Sequence, residues 1–285
     1  PSILLAGEQI LDYYTRVKIQ GKSQKSSIVS NEKLSTQKFG GGTILVANLL
    51  CQFFNNISYI INGNHSTVKI SKKYIENKKK IKTINTGDQI KKILIKERFI
   101  DSYSKTRLFQ LNQNQIFYNI NNKNSKFQNT LVKAIKKFQN IIIFDYGYGF
   151  IDDNFANTLK NKKKNFYINC QTNSSNFGFN LFSKFKKAEI MCVDEAEFRL
   201  TVKNNNDSVF NLIKKNTSVL KNYKVFIVTC GSKGCYILNK KKIDYVPTVY
   251  ESTLDTTGCG DVFFSTFIYF YLTKKFSFQE IAFLS

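Results

Sequence analysis

The stretch Asp255-Thr256-Thr257-Gly258-Cys259-Gly260-Asp261-Val262-Phe263-Phe264 sets a glycine-flanked turn directly ahead of an apolar run with helical character. It also puts a carboxylate in that helix's first turn. Small residues let backbone N–H groups approach an anion, and a helix N-terminus adds partial positive charge. Beside such an anion site, Asp261 is placed to accept a proton from an attacking hydroxyl. The pattern reads as phosphoryl-transfer chemistry. A Gly-x-Gly-Asp match on its own favours the plainer reading, a glycine loop with an acid at a helix start.

Outward from this stretch, short β-rich runs alternate with longer segments of helical periodicity, which predicts an α/β fold with a mainly parallel sheet covered by helices. The clearest strands are Ile3–Ala6, Ile57–Ile61, Ile141–Asp145, Asn165–Asn169, Ile190–Val193 and Val225–Thr229; helices fit at about 41–54, 127–139, 151–162, 206–222 and 260–273. Residues 13–39 and about 98–122 break the rhythm: polar and without helical periodicity, they are expected to form a small β-structure outside the main sheet. The Asn- and Lys-rich stretches at 111–126 and 203–207 read as exposed loops.

With 285 residues, of which 42% are hydrophobic, the chain can bury a large core. No apolar run approaches the roughly 20 residues needed to span a bilayer, and residues 1–20 lack a signal-peptide pattern, so a cytoplasmic protein without a membrane partner is expected. The formal charge of +23 attracts phosphate polymers nonspecifically, but the lysines are scattered, with only short separate runs at 78–80, 162–164 and 240–242. Arginine, suited to bidentate phosphate and base contacts, occurs only at Arg16, Arg98, Arg107 and Arg199. These lysines read as solvated surface, and no specific nucleic-acid partner is expected. The six cysteines form no Cys-x-x-Cys pair, so neither a zinc site nor a disulfide framework is suggested. The single histidine, His65, reads as a turn after a strand, which leaves histidine-base mechanisms little support.

Several further stretches carry polar groups at strand exits. Leu5-Ala6-Gly7-Glu8-Gln9-Ile10-Leu11-Asp12 runs from a strand into a loop with two carboxylates, each able to accept two hydrogen bonds, and on its own reads as a surface loop with acids. Phe39-Gly40-Gly41-Gly42-Thr43 precedes a helix. Lys105 and Arg107 are suited to a substrate phosphate, with surface placement equally open. Asp145-Tyr146-Gly147-Tyr148-Gly149 ends an apolar strand, where ligands gather in open α/β sheets, though Asp145 could equally be structural. Asn169–Asn180 is unusually rich in amides, Cys192–Glu197 is acidic, and Val228–Cys235 reads as a β-turn between strands.

The 255–261 run resembles the Asp-Thr-x-Gly-Ala-Gly-Asp signature of the PfkB, or ribokinase-like, family of carbohydrate kinases, with Cys259 at the usual alanine. The resemblance implies a three-layer α/β/α sandwich with a small β lid. It makes Asp261 the catalytic base and the amides of Gly258, Cys259 and Gly260 an anion hole for the transferred phosphoryl group. A main-chain hole tolerates cysteine, whose thiol is expected to be buried and inert. Asp12 matches the sugar-binding aspartate of the family's Gly-Asp-x-x-x-Asp opening, with Glu8 at the usual first aspartate. Gly41 and Gly42 would lie under the sugar. Ile44 stands where ribokinases often carry asparagine, which argues against ribose.

The same resemblance aligns Cys192–Glu195 with the Asn-x-x-Glu motif, giving Glu195 an indirect magnesium role through water and Cys192 the asparagine position. Thr229, Gly231, Ser232 and Gly234 match a run that contacts nucleotide phosphates and ribose. ATP and Mg²⁺ are the implied cofactors. The amide-rich and acidic segments are similar to a branch near heptose-phosphate kinases, found beside or fused to nucleotidyltransferase domains; such a domain, linked or separate, and a homodimer through the lid are both allowed. The expected reaction is γ-phosphoryl transfer to a sugar or sugar-phosphate hydroxyl over a single domain spanning 1–285. A non-catalytic sugar- or nucleotide-binding relative is the alternative. PfkB domains usually continue beyond the helix after Asp261, so closing elements past Ser285 are expected.

Overall fold

The strand β1 (Ile3–Gly7) is buried at every position, as a strand covered on both faces must be. Ile3 and Leu5 enter one apolar cluster and Leu4 and Ala6 the other. The computed structural model describes residues 2–23, 25–87, 92–114, 126–159, 163–249 and 256–285. From β1 the chain runs through β2 (Gln9–Lys22), β3 (Val29–Gly42), α1 (Thr43–Phe53), β4 (Ile57–Ile61), α2 (His65–Lys73), β5 (Ile81–Asn85), β6 (Leu94–Asp101), β7 (Arg107–Gln113), α3 (Lys126–Lys137), β8 (Asn140–Asp145), α4 (Asp153–Leu159) and β9 (Asn165–Cys170). It continues with β10 (Ala188–Asp194), α5 (Glu195–Val202), α6 (Val209–Lys215), α7 (Thr217–Leu220), β11 (Tyr223–Thr229), β12 (Cys235–Asn239), β13 (Lys242–Val246), α8 (Cys259–Thr273) and α9 (Phe278–Leu284).

The main sheet has the order β13-β12-β11-β10-β9-β8-β1-β4-β5. It is parallel from β11 to β5, with β12 and β13 antiparallel at one edge. Strand alternation splits the core in two. Ile142, Phe144, Val225 and Ile227 face α1, α8 and α9, whereas Ile141, Ile143, Phe226 and Val228 face α3 to α7. Each such side chain, fully buried, contributes about 1.5–3 kcal/mol, and the result is the expected α/β/α sandwich. The two segments outside the helical rhythm contribute to a second sheet, β3-β2-β6-β7. Its strands begin earlier than the periodicity suggests, at Gln9 and Leu94; residues 115–122 lie outside the described residues.

Other sequence readings need correction. Gly40–Gly42 ends β3 rather than opening α1, and His65 is no turn: it is the first residue of α2, where the Asn64 side chain accepts the Thr67 N–H at 2.9 Å. The helix expected at 206–222 is divided at Asn216, whose side-chain amide donates to the Leu212 carbonyl at 2.8 Å and so occupies the end of α6. Helix α5 was not foreseen. It starts with a capping box in which Asp194 and Glu197 exchange side-chain and backbone hydrogen bonds.

At the carboxyl end of β8 the core holds an ion pair. Asp145 is fully enclosed and meets Lys184 Nζ at 2.5 Å, and the ammonium also donates to the Ile151 carbonyl and to Asn180 Oδ1, both at 2.7 Å. Burial favours neutral lysine, but Asp145 wins, and the Lys184 pKa is raised. Asp145 is thus a structural anchor. Replacing Lys184 by Met leaves its carboxylate unpaired, and urea unfolding at neutral pH is expected to show a loss of about 3–5 kcal/mol; an unchanged midpoint would contradict this.

Candidate active site

Helix α8 positions Asp261. Asp261, Phe264, Ser265 and Ile268 are buried at helical spacing on one face, and Phe264 packs edge-on against Phe144 of β8 with ring centroids 5.5 Å apart. One turn before that anchor, the Asp261 carboxylate lies at the carboxyl ends of β8 and β9. Gln171 Nε2, just past β9, donates to Asp261 Oδ1 at 3.0 Å. The Tyr146 hydroxyl is buried beside it without a well-aligned hydrogen bond. Burial pushes the Asp261 carboxyl up to about 6, against the stabilising pull of Gln171, Tyr146 and Lys96.

Gly258 precedes α8 in a left-handed conformation (φ 82°), and no side chain caps the helix. A Cβ at Gly260 would meet no atom within 4 Å, and one at Gly258 only a Leu45 methyl at 3.5 Å. The start of α8 is therefore uncrowded at its glycines, with the partial positive charge of a 15-residue helix behind it, and the Cys259 N–H donates to the Thr256 carbonyl at 3.2 Å. Cys259, expected to be buried, is exposed, because the first residue of α8 lies outside its packed face. Asp255 lies outside the described residues.

The lid sheet brings the substrate-side residues in. Asp12 on β2 pairs with Arg98 on β6 at 2.5 Å. A Cβ at Gly41 would fall 1.8 Å from Asp12 Oδ2, so only glycine lets this carboxylate rest on the β3 backbone; Gly42 follows as the residue before α1 (φ 52°). Lys96 is half-buried on β6, its ammonium 5.4 Å from the centroid of the Tyr148 ring. Arg107, at the start of β7, donates to Thr257 Oγ1 at 2.6 Å, one residue before the Gly258 turn. Lys105 occupies the hairpin tip (φ 61°), and its ammonium binds the Ser102 carbonyl. Arg107 thus joins the site, whereas the recorded contacts of Lys105 keep it at the tip.

Glu8 has a definite task. Its carboxylate accepts the N–H groups of Tyr146 and Tyr148 at 2.9 Å and of Phe150 at 3.2 Å. Burial, then the Asp145 charge, raises its pKa to about 7.

On the neighbouring strands, Gln171 also donates to Asn169 Oδ1 at 2.6 Å, and the Thr172 N–H donates to Glu197 Oε1 at 2.9 Å. The 169–172 exit therefore links Asp261 to α5. Glu195 is turned aside: its Oε1 accepts two Arg199 N–H groups at 2.9 and 2.7 Å. Glu197 is the buried acid, raised to about 8 by burial and then by Asp194. Cys192 is buried within β10. Beyond it, Thr229 Oγ1 donates to the Val193 carbonyl at 3.4 Å, and Gly231, Ser232 and Lys233 form an exposed single turn closed by Cys230 N–H to Gly234 O at 2.7 Å. Among the described residues no cluster of three His, Cys, Asp or Glu side chains could hold a metal, and no helix is long and apolar enough to cross a membrane.

Sequence reasoning missed Lys96, Arg98, Tyr146, Gln171 and Glu197 as site residues. Gln171 lay in the amide-rich run and Tyr146 in the glycine loop already noted. The i, i+2 spacing of Lys96 and Arg98 on a lid strand was the available signal for the other pair.

Comparison with known proteins bears on the family and the fold. The description "pfkB family carbohydrate kinase" matches residues 101–282. The chain is 24% identical over 271 residues to the "Bifunctional protein HldE" of Helicobacter acinonychis, covering 91% of this chain and 56% of that protein. It is 21% identical over 284 residues to the protein of the same name from Campylobacter curvus, covering 96% and 57%. It thus spans a little over half the length of these relatives. Among solved structures, Arabidopsis thaliana ribokinase complexed with ribose and ATP superposes with a TM-score of 0.71 at 13% identity, covering 99% of this chain and 89% of that one. Escherichia coli phosphofructokinase-2 in complex with fructose-6-phosphate also gives 0.71, at 11% identity and with the same coverages. A sheet whose strand exits converge on an acid at a glycine-preceded helix, together with a family match over more than half its length, makes this chain a member of the pfkB family of carbohydrate kinases.

Proposed function

We propose that the chain transfers the γ-phosphoryl group of ATP to a hydroxyl of a sugar phosphate resembling a heptose phosphate, with Asp261 as the base. One observation carries the reading: a buried carboxylate stands in the first turn of a helix that no side chain caps and whose leading glycines are unobstructed. Asp12 and Gly41 would bind acceptor hydroxyls, and Arg107, at Thr257, would approach the phosphoryl path. Asp261 takes the hydroxyl proton as the oxygen attacks the γ-phosphorus, and the amides of 258–260 stabilise charge on the phosphoryl oxygens. Thr229, Gly231, Ser232 and Gly234 would border the nucleotide. The similarity to HldE proteins supports a heptose-like acceptor.

Magnesium keeps several waters and needs few protein ligands, so a site with no three-acid cluster among the described residues fits an ion held by nucleotide phosphates and water. Bound there, it would neutralise phosphate charge. Glu197 suits the supporting acid better than Glu195. Asp194 and Glu197 have the same three-residue spacing as the Asn-x-x-Glu motif, and Glu197 faces the 169–172 exit while Glu195 is held by Arg199.

Asp261→Asn is expected to lower kcat by roughly 10²–10⁴-fold while ATP still protects the variant against thermal unfolding; full turnover by the variant would remove Asp261 as base. The base works ionised and takes up its proton as pH falls. The wild-type kcat should therefore be level above about 6 and drop about tenfold per pH unit below it, and a limb near 4 would contradict the raised value. Glu197→Gln should raise the magnesium concentration for half-maximal turnover by about tenfold, with Glu195→Gln nearly unaltered. Equal effects would return the role to neither acid.

A further inference from the structure

The parallel sheet sorts charge between its two ends. Acids gather at strand exits: Glu8 follows β1, Asp145 ends β8, Asp194 ends β10, and Asp261 lies beside the exit of β9. Lysines gather at strand entries. In the parallel register of β5, β8, β9, β10 and β11 the first residues lie at one pole of the molecule, and exposed or half-buried lysines precede them at 78–80, 136–137, 163–164, 186–187 and 221. The β12–β13 hairpin adds 240–242, since Asn239 pairs both with Val225 near the start of β11 and with Lys242. Helix α8 adds 274–275: its last turn reaches this pole, where the Tyr271 hydroxyl donates to Glu189 Oε1 at 2.5 Å. Runs that are separate along the sequence therefore form one surface, about 30 Å wide across the seven strands from β11 to β5.

Local acids do not cancel this charge. Lys224 holds Glu189 at 2.6 Å, Lys242 holds Asp244 at 2.8 Å, and Glu76 sets one further negative charge against the 78–80 run, so a large positive excess remains. A cation or two at a helix end answers the helix dipole. That accounts for Lys136 and Lys137 in the last turn of α3, but not for the 186–187 loop or the 240–242 hairpin. Apolar side chains also stand exposed among the lysines. Phe276 follows Lys274 and Lys275, and Lys214, Lys221, Lys240 and Lys241 surround a cavity of about 550 Å³ that Phe210 and Ile243 also line. The arginines lie elsewhere: Arg16, Arg98 and Arg107 are on the lid strands and Arg199 is in α5.

We propose that this pole docks the protein on an anionic lipid surface. The inference stands apart from the choice of acceptor, and docking of this kind requires no membrane-spanning helix. Lysines spread over a plane match the negative charge of bilayer headgroups, and like charges held this close repel one another until such a counter-surface meets them. Phe276 and Phe210 enter the headgroup region beside them, and the cavity receives a phosphate headgroup among its lysines. Specific nucleic-acid contact draws on arginine forks, and this pole has none. Docking leaves the strand exits and Asp261 facing solution, so nucleotide and acceptor reach the site of a docked molecule. The acids at that end, repelled by the same surface, fix the orientation.

The test measures binding to phosphatidylcholine vesicles with and without about one-third phosphatidylserine at physiological salt. A pole variant combines Lys186→Glu, Lys187→Glu, Lys240→Glu and Lys241→Glu; a lid variant of equal net charge combines Lys18→Glu, Lys22→Glu, Lys25→Glu and Lys33→Glu. Wild type is expected to bind the anionic vesicles and not the neutral ones. The pole variant should bind them at least about 10²-fold more weakly, and the lid variant within about threefold of wild type. Phe276→Ser should weaken vesicle binding about fivefold and leave binding to a short DNA duplex unchanged. Equal losses in the two charge variants overturn the proposal, because they mark net charge without a docking face. So does a wild type that ignores anionic vesicles, and so does a duplex bound more tightly than the vesicles, which assigns the pole to nucleic acid. If the pole variant melts below wild type, the same four lysines changed to Gln decide: weakened vesicle binding at a wild-type melting temperature supports the docking face, and unaltered binding overturns it.

Discussion

The Glu8 carboxylate is the constraint on which the geometry of the site depends. It takes three backbone N–H groups from the loop after β8, while its own carbonyl accepts the Thr43 N–H at 3.0 Å and the Thr43 hydroxyl at 2.8 Å. One residue therefore joins the end of β1, the start of α1 and the 146–150 loop. A backbone turn with three inward N–H groups needs a buried acceptor, since orphaned donors would each cost about 1–3 kcal/mol. Aspartate is one methylene shorter than the reach this loop uses. The departure from the family's usual residue goes together with a loop that holds Tyr146 beside Asp261 and Tyr148 beneath Lys96.

Around this anchor the site sets burial against charge. Asp261, Glu8 and Glu197 are all raised, and in each the largest cause is removal from water. They differ in what resists that cause. Asp261 has an amide donor and a lysine, which keep it near 6, so at neutral pH it is ionised and still a stronger base than an exposed aspartate. Glu197 faces Asp194 and reaches about 8, a value suited to an acid that ionises only when positive charge arrives nearby. The three carboxylates are thus separated by their neighbours more than by depth.

Much of this was legible in the sequence. Strands such as Ile57–Ile61 and Ile141–Asp145 could be read because they are continuous apolar runs with polar exits, and such runs are what a sheet buried on both faces requires. The Gly258–Asp261 turn was legible because its chemistry is local. Helix α5 was not, since its stability comes from a capping box and tertiary packing of Phe198 rather than from a long periodic face. The motif spacing points to Glu195, whereas the turn of α5 sets Glu197 against the 169–172 exit and leaves Glu195 to Arg199. The i, i+2 spacing of Lys96 and Arg98 marks one strand face, but only the pairing of β6 with β2, 86 residues apart at Arg98 and Asp12, places them at the site.

The lid is built so that these distant placements remain mutually consistent. On its other face Glu97 accepts the Thr15 hydroxyl at 2.6 Å and the Gln113 amide at 2.9 Å, and Phe99 stacks on Phe109 with centroids 4.5 Å apart. A four-stranded sheet braced across β2, β6 and β7 shifts as a unit rather than strand by strand. Two of its attachments to the main sheet are the Glu8–Gln9 and Gly42–Thr43 junctions, and both meet at Glu8. Lid orientation and the shape of the 146–150 loop therefore share one fixed point. Displacing the lid moves Asp12, Lys96 and Arg98 together relative to Asp261, so the surroundings of Asp12 and the electrostatic setting of Asp261 change in the same motion.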